Sequence, residues 1–259
     1  MSSAPILAGF VQALSRGDVR VVDLTQTLSE DTPLLVLPEP FGQTAAFSRQ
    51  EISRYDDRGV AWHWNNFTVG EHTGTHFDAP VHWVSGRDLP DNTVDAVPAA
   101  NFVAPVVVLD FSRECAADPD FLLTAAHLKA WEAANGPIPA GSWVLFRSDW
   151  SKRDVDAYTN RREDGAHTPG PATDAIEYLI ARDVLGFGVE TIGTDAGQAH
   201  LLTPAYPAHT LLHGAGRYGL QCLQNLDQLP ATGAVLICPP LKIRGGSGSP
   251  LRVLALVEA

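Results

Sequence analysis

Along the chain, short apolar runs alternate with stretches whose apolar positions recur at helical spacing, and Pro- and Gly-rich breaks separate them. Ala4 to Ser15 has the helical period and meets Gly17 at its end, which predicts a short helix. Val19 to Leu24, rich in valine, predicts a strand. Leu28 to Gln43 contains Pro33, Pro38, Pro40 and Gly42 and predicts an irregular loop. Phe47 to Tyr55 and Ala61 to Val69 read as strands, the second carrying Trp62, Trp64 and Phe67. Val106 to Leu109 reads as a buried strand ended by Asp110, and Ser142 to Arg147 as another. Between them, Thr124 is placed to N-cap a helix over Ala125 to Asn135 that Gly136 stops. Asp149 to Gly170 is polar and charged, the pattern of a surface loop or lid. Thr173 is placed to cap a helix through Ala181, and Val189 to Ile192 reads as a short strand. Ala234 to Cys238 and Leu251 to Val257 read as strands around a Gly/Ser loop. Strands alternate with helices, with no internal repeat and no linker-like shift in composition. That predicts an α/β fold in one domain covering residues 1–259.

Composition then narrows the function classes. A hydrophobic content of 45% is enough for a sizeable core. The net charge of −12 argues against nucleic acid or an anionic membrane as partner, because both need basic patches. Cys115, Cys222 and Cys238 are odd in number and form no CxxC pair, the usage of a cytoplasmic protein with reduced thiols. Met1 to Phe10 has no basic stretch before an apolar run, so no signal peptide is expected. No window approaches the ~18 apolar residues of a membrane span.

The chemistry concentrates between Gly70 and His82. His72, His76 and Asp78 offer two imidazole nitrogens and one hard oxygen, a set suited to Zn²⁺ or Mn²⁺. Gly74 and two threonines weaken a helix here, and Pro80 forbids its continuation. In an extended chain His72, His76, Asp78 and His82 all point to one side. If the chain stays extended through Gly70, Trp62 and Trp64 share that parity and could wall an aromatic pocket. Trp83 has the opposite parity and is the weakest of the three. Further along, His209 and His213 stand four residues apart and share a face if helical. Asp195 and Gln198 either support the ligands from behind or cap a turn.

His-Thr-Gly-Thr-His-x-Asp-Ala-Pro-x-His resembles the signature of the cyclase-like metal-dependent hydrolases, which include kynurenine formamidases and isatin hydrolases. Similarity runs from about Val21 to Val257 and is nearest to the isatin hydrolase branch. The resemblance implies a compact domain around a barrel-like mixed sheet, dimeric or larger. It also implies that His72, His76 and Asp78 bind a divalent metal and that His82 acts as acid and base. It places His209 in the pocket as a substrate contact; Trp62, Trp64 and Trp83, read above as possible walls of that pocket, are expected to stack on a flat substrate. Where the formamidases carry a glutamate for a second metal, this chain has Gln221, a poor charge partner for two dications but a candidate further ligand through its carbonyl oxygen. One metal is therefore expected, Mn²⁺ ahead of Zn²⁺. Cys222 stands where related hydrolases have a hydroxyl residue that passes protons, and His213 is a candidate in the same relay. The implied reaction is hydrolysis of a small aromatic cyclic amide, isatin to isatinate. N-formylkynurenine and lactones are the alternatives within the family.

Overall fold

The structure, a computed structural model, describes residues 6–259. Nine strands form one mixed sheet in the order Val19–Asp23, Leu254–Glu258, Ala234–Ile237, Val103–Asp110, Trp143–Arg147, Gly186–Val189, Tyr218–Gln221, His76–Asp78 and Gly248–Pro250. The four central strands from Val103–Asp110 to Tyr218–Gln221 run parallel, and both flanks are antiparallel. The sheet curls into the half-barrel that the family resemblance implied.

The central strands are apolar on both faces because both faces are covered. Val106, Val108, Trp143 and Leu145 point into one core with Phe77, Tyr218, Leu220 and Leu236. Val107, Leu109, Val144 and Phe146 point into the other, under the helices Ala125–Asn135 and Thr173–Ala181, which supply Leu128, Trp131, Ile176 and Leu179. Thr124 caps the first of these helices as expected. Its side chain accepts from His127 N–H while the His127 ring reaches back, a reciprocal cap worth about 0.5–2 kcal/mol. Thr173, by contrast, is the first residue inside its helix. Ala172 occupies the cap, and the Thr173 hydroxyl donates to Thr203 O.

Other differences have local causes. The strand expected at Val189–Ile192 lies at Gly186–Val189. A Cβ on Gly186 would sit 2.4 Å from the Trp143 ring and 2.6 Å from Tyr218 O, so close packing demands a glycine that hides the strand's pattern. Residues 149–170 are not a loose lid. Trp150, Tyr158, His167 and Thr168 are buried, and the buried Glu190 carboxylate accepts from Ser148 N, Asp149 N and Ser151 Oγ. Among the described residues the strands Ser48–Asp56 and Gly59–Thr68 pair only with each other, as a hairpin outside the main sheet. The first helix runs Ile6–Arg16 with Gly17 at its end; Ala4 and Pro5 lie outside the described residues.

Candidate metal and catalytic site

The site forms at the edge where His76–Asp78 pairs with Tyr218–Gln221 on one side and Gly248–Pro250 on the other. Residues 71–75 are turns, so the chain is extended only across His76–Asp78 and then winds into a 3₁₀ turn at Pro80–His82. Asp78 is wholly buried and forms the hub. His72 Nδ1 lies 2.7 Å and His76 Nε2 3.3 Å from Asp78 Oδ1. Burial acts to raise the Asp78 carboxyl, but the imidazoles of His76, His82 and His72 outweigh it and hold the group well below the usual carboxylate range.

Hydrogen bonds decide which nitrogen each histidine turns inward. His76 Nδ1–H donates to Gly74 O at 2.7 Å, leaving a buried, unpartnered Nε2 lone pair aimed at Asp78. His213 repeats this arrangement: Nδ1–H donates to Arg217 O at 2.9 Å, and Nε2 is buried without a partner. Burial lowers His213 to about 4. Donor atoms of His72, Asp78 and His82 lie within 4.8 Å of one another, and so do those of Asp78, His209 and His213. Two buried imidazole nitrogens that no hydrogen bond holds, His76 Nε2 and His213 Nε2, stand beside the buried Asp78 carboxylate, and this donor set fits a divalent metal.

His82 stacks on His72 with ring centroids 3.8 Å apart, and its ring makes no hydrogen bond among the described residues. Burial pushes it down to about 3, against the opposing charge of Asp78. His209 lies in a π-helical turn at Ala208–Leu212 and His213 directly follows it, their rings edge to face at 5.5 Å. Asp195 binds this turn. It accepts from Ala208 N at 2.7 Å, His209 N at 3.1 Å and His209 Nδ1 at 2.6 Å. Burial opposes a charge on His209, but the Asp195 carboxylate wins and raises it above the ordinary histidine value. Asp195 is thus tied to a site histidine, whereas Gln198 is not. Gln198 Nε2 donates to Ala166 O and supports the neighbouring segment.

Three expectations change. Gln221 turns its amide nitrogen, not its oxygen, toward the site: Nε2 donates to Asp78 Oδ2 while Oε1 accepts from Gly193 N–H at 2.7 Å. It orients the carboxylate instead. Trp62 and Trp64 lie on the hairpin, 50% and 54% exposed, and line a shallow cleft of about 250 Å³ of their own. The parity that joined them to the ligands fails because the chain turns at residues 69–75. Trp83, the weakest of the three by parity, is the one that walls the site, its ring 4.8 Å from His209 and 6.4 Å from His82. The 3₁₀ turn rotates it inward. Cys222 is buried with Trp150 and Tyr158; its thiol faces the Tyr158 hydroxyl and is pushed up to about 12 by burial.

Sequence reading missed Glu71 and Ser247, which meet behind His72. Glu71 stands inside the motif, but Ser247 lies in a Gly/Ser stretch whose composition speaks only of turns.

Comparison with known proteins follows the same lines. A model of the Cyclase family matches residues 22–196. An isatin hydrolase of Roseibium aggregatum is 51% identical over 260 residues, covering 99% of each chain. A crystal structure of an isatin hydrolase bound to the product analogue thioisatinate superposes with a TM-score of 0.97 at 50% identity over 100% of both chains. A kynurenine formamidase of Polaromonas naphthalenivorans is 28% identical over 91% of this chain and 90% of its own. The chain belongs to the Cyclase family.

Proposed function

We propose that the protein is a metal-dependent amidohydrolase that opens isatin to isatinate. The observation that carries this reading is the convergence of unpartnered imidazole nitrogens on the buried, ionised Asp78, with His82 free beside them. The isatin hydrolase relatives supply the substrate class. His72, His76 and Asp78 hold one divalent cation. A carboxylate oxygen shared between imidazoles is hard enough to suit Mn²⁺, which we favour over Zn²⁺. When bound, such a cation supplies Lewis acidity to a carbonyl and makes water a nucleophile near neutral pH.

The chain's own groups do the rest. His82 is a neutral imidazole at pH 7 and accepts the proton of the attacking water; once charged it is a strong acid and gives that proton to the leaving nitrogen. Water oxygen adds to the amide carbonyl carbon, the C–N bond breaks, and the ring nitrogen takes the proton. His209, held by Asp195, donates from Nε2 to a substrate carbonyl, and Trp83 lies against the flat ring. Any relay through His213, or through Cys222 and Tyr158, is a further proposal that rests on their burial beside the site. Gln221 counts against the two-metal chemistry of a formamidase, because a neutral amide with both ends committed cannot offset a second dication.

We further propose a homodimer or larger assembly, supported by the exposed apolar residues Val60, Trp62, Trp64 and Phe67 on the hairpin and Ile6, Leu7 and Val11 on the first helix. Among the described residues no helix is long and apolar enough to cross a membrane, and the three cysteines are free, in keeping with a cytoplasmic setting. The test is metal analysis of purified protein followed by turnover of isatin and N-formylkynurenine. One metal per chain with turnover of isatin is expected. Two tightly bound metals with preference for N-formylkynurenine would overturn the reading.

A further inference from the structure

His72 differs from His76 and His213 in that no backbone carbonyl fixes its ring. Its Nε2 lies 2.9 Å from Ser247 Oγ. That hydroxyl donates to Glu71 Oε2 at 2.6 Å, and Ser247 N–H donates to the same oxygen at 3.1 Å. A hydroxyl has one proton, so Ser247 Oγ, having given it to Glu71, can only accept from His72. Nε2 therefore carries the His72 proton. Nδ1 faces Asp78 Oδ1 at 2.7 Å, the side of the ring on which a cation, a proton or a metal ion, is held against the carboxylate.

The loop that carries Ser247 is built around this contact. Ala79 N–H donates to Ser247 O at 2.9 Å, and Gly248 pairs with Asp78 in the sheet, so the serine is fastened to the strand that bears the hub carboxylate. A Cβ on Gly248 would lie 2.5 Å from His72 Cε1, and one on Gly246 would lie 3.1 Å from Glu71 Oε1. The two glycines flanking Ser247 leave room for these two side chains.

We propose that Glu71 and Ser247 are positioning residues that lock His72 in its Nε2–H tautomer and so present Nδ1 to the metal. This rests on the reading of His72 as a ligand. Removing Ser247 leaves Nε2 to water. Removing Glu71 frees the hydroxyl proton to turn toward His72 and place the wrong nitrogen inward. Glutamine at 71 keeps an acceptor, because Ser247 N–H holds the amide oxygen where the carboxylate oxygen was. Support of this kind is typically worth ~10–100-fold in metal affinity.

The experiment uses the full-length protein stripped with chelator. Imidazole ¹⁵N shifts of His72 in the metal-free protein read the tautomer, and Mn²⁺ and Zn²⁺ affinities are measured by chelator competition. Wild type and Glu71→Gln should hold the Nε2–H form and bind metal alike. Ser247→Ala and Glu71→Ala should show mixed tautomers and bind both ions ~10–100-fold more weakly. Unchanged tautomer or unchanged affinity in Ser247→Ala overturns the proposal. If wild type binds neither ion, the ligand reading fails separately, and the tautomer measurement still decides what Glu71 and Ser247 do.

Discussion

The wall built by residues 71–78 and the wall built by residues 195–213 both bring histidines to Asp78, and they differ in one anchor, the carboxylate behind His209. On the first, His76 donates to the Gly74 carbonyl and His72 is engaged by the Ser247 hydroxyl. Neutral acceptors fix which nitrogen faces outward with its proton, so both rings turn the other nitrogen toward Asp78. On the second, His213 donates to the Arg217 carbonyl as His76 does to Gly74, but His209 donates to the Asp195 carboxylate, which stabilises imidazolium and leaves a proton to give from Nε2. One wall is suited to hold a cation and the other to hold a polarised oxygen. His82 lies between them with no anchor among the described residues, which suits the proposed role of taking and releasing a proton.

Five substitutions test this division, taken in falling order of expected effect. Asp78→Asn removes the charge on which the first wall converges, and metal content and turnover should fall below detection by elemental analysis and assay. Retained metal would move the hub elsewhere. His82→Ala should keep the metal and lose ~10²–10⁴-fold in kcat, while loss of metal would make His82 a ligand of the first wall.

Asp195→Asn should act on the second wall alone, and its signature is a pH profile. Activity that needs protonated His209 is lost as pH rises through that group's raised pKa. Without the carboxylate the pKa falls, so the alkaline limb of kcat/KM should move to lower pH with metal content unchanged. An unmoved limb would leave Asp195 as a turn anchor only. Last, Trp83→Ala should raise KM by about 2- to 13-fold, the equivalent of ~0.5–1.5 kcal/mol of lost ring contact, and Trp62→Ala should raise it less. Equal effects would mean that the hairpin reaches a site after all.

The two walls also differ in how far they could be read from the chain. His72, His76, Asp78 and His82 fall within eleven consecutive residues, and spacing plus chemistry is enough to mark them. The parity argument beyond them failed at both ends, since it assumed one long strand where the chain has three extended residues between turns. Asp195 is legible only as an acidic residue in a glycine-rich bend; its partnership with His209 is tertiary. The sheet was readable at its valine-rich strands and unreadable where packing demands glycine, at Gly186–Val189, Tyr218–Gln221 and Gly248–Pro250. Thr124 and Gly136 were legible because capping is local.

The register of the His76–Asp78 strand has a consequence for the order of events on the ribosome. Among the described residues its sheet partners are Tyr218–Gln221 and Gly248–Pro250, 140 or more positions downstream. The histidine motif therefore leaves the exit tunnel early and waits unpaired through most of synthesis, with Asp78 exposed and His72 still lacking its serine. Metal capture in the native geometry belongs to the last stage of chain release, and truncation just before Ser247 should yield a protein that keeps its signature motif and cannot use it.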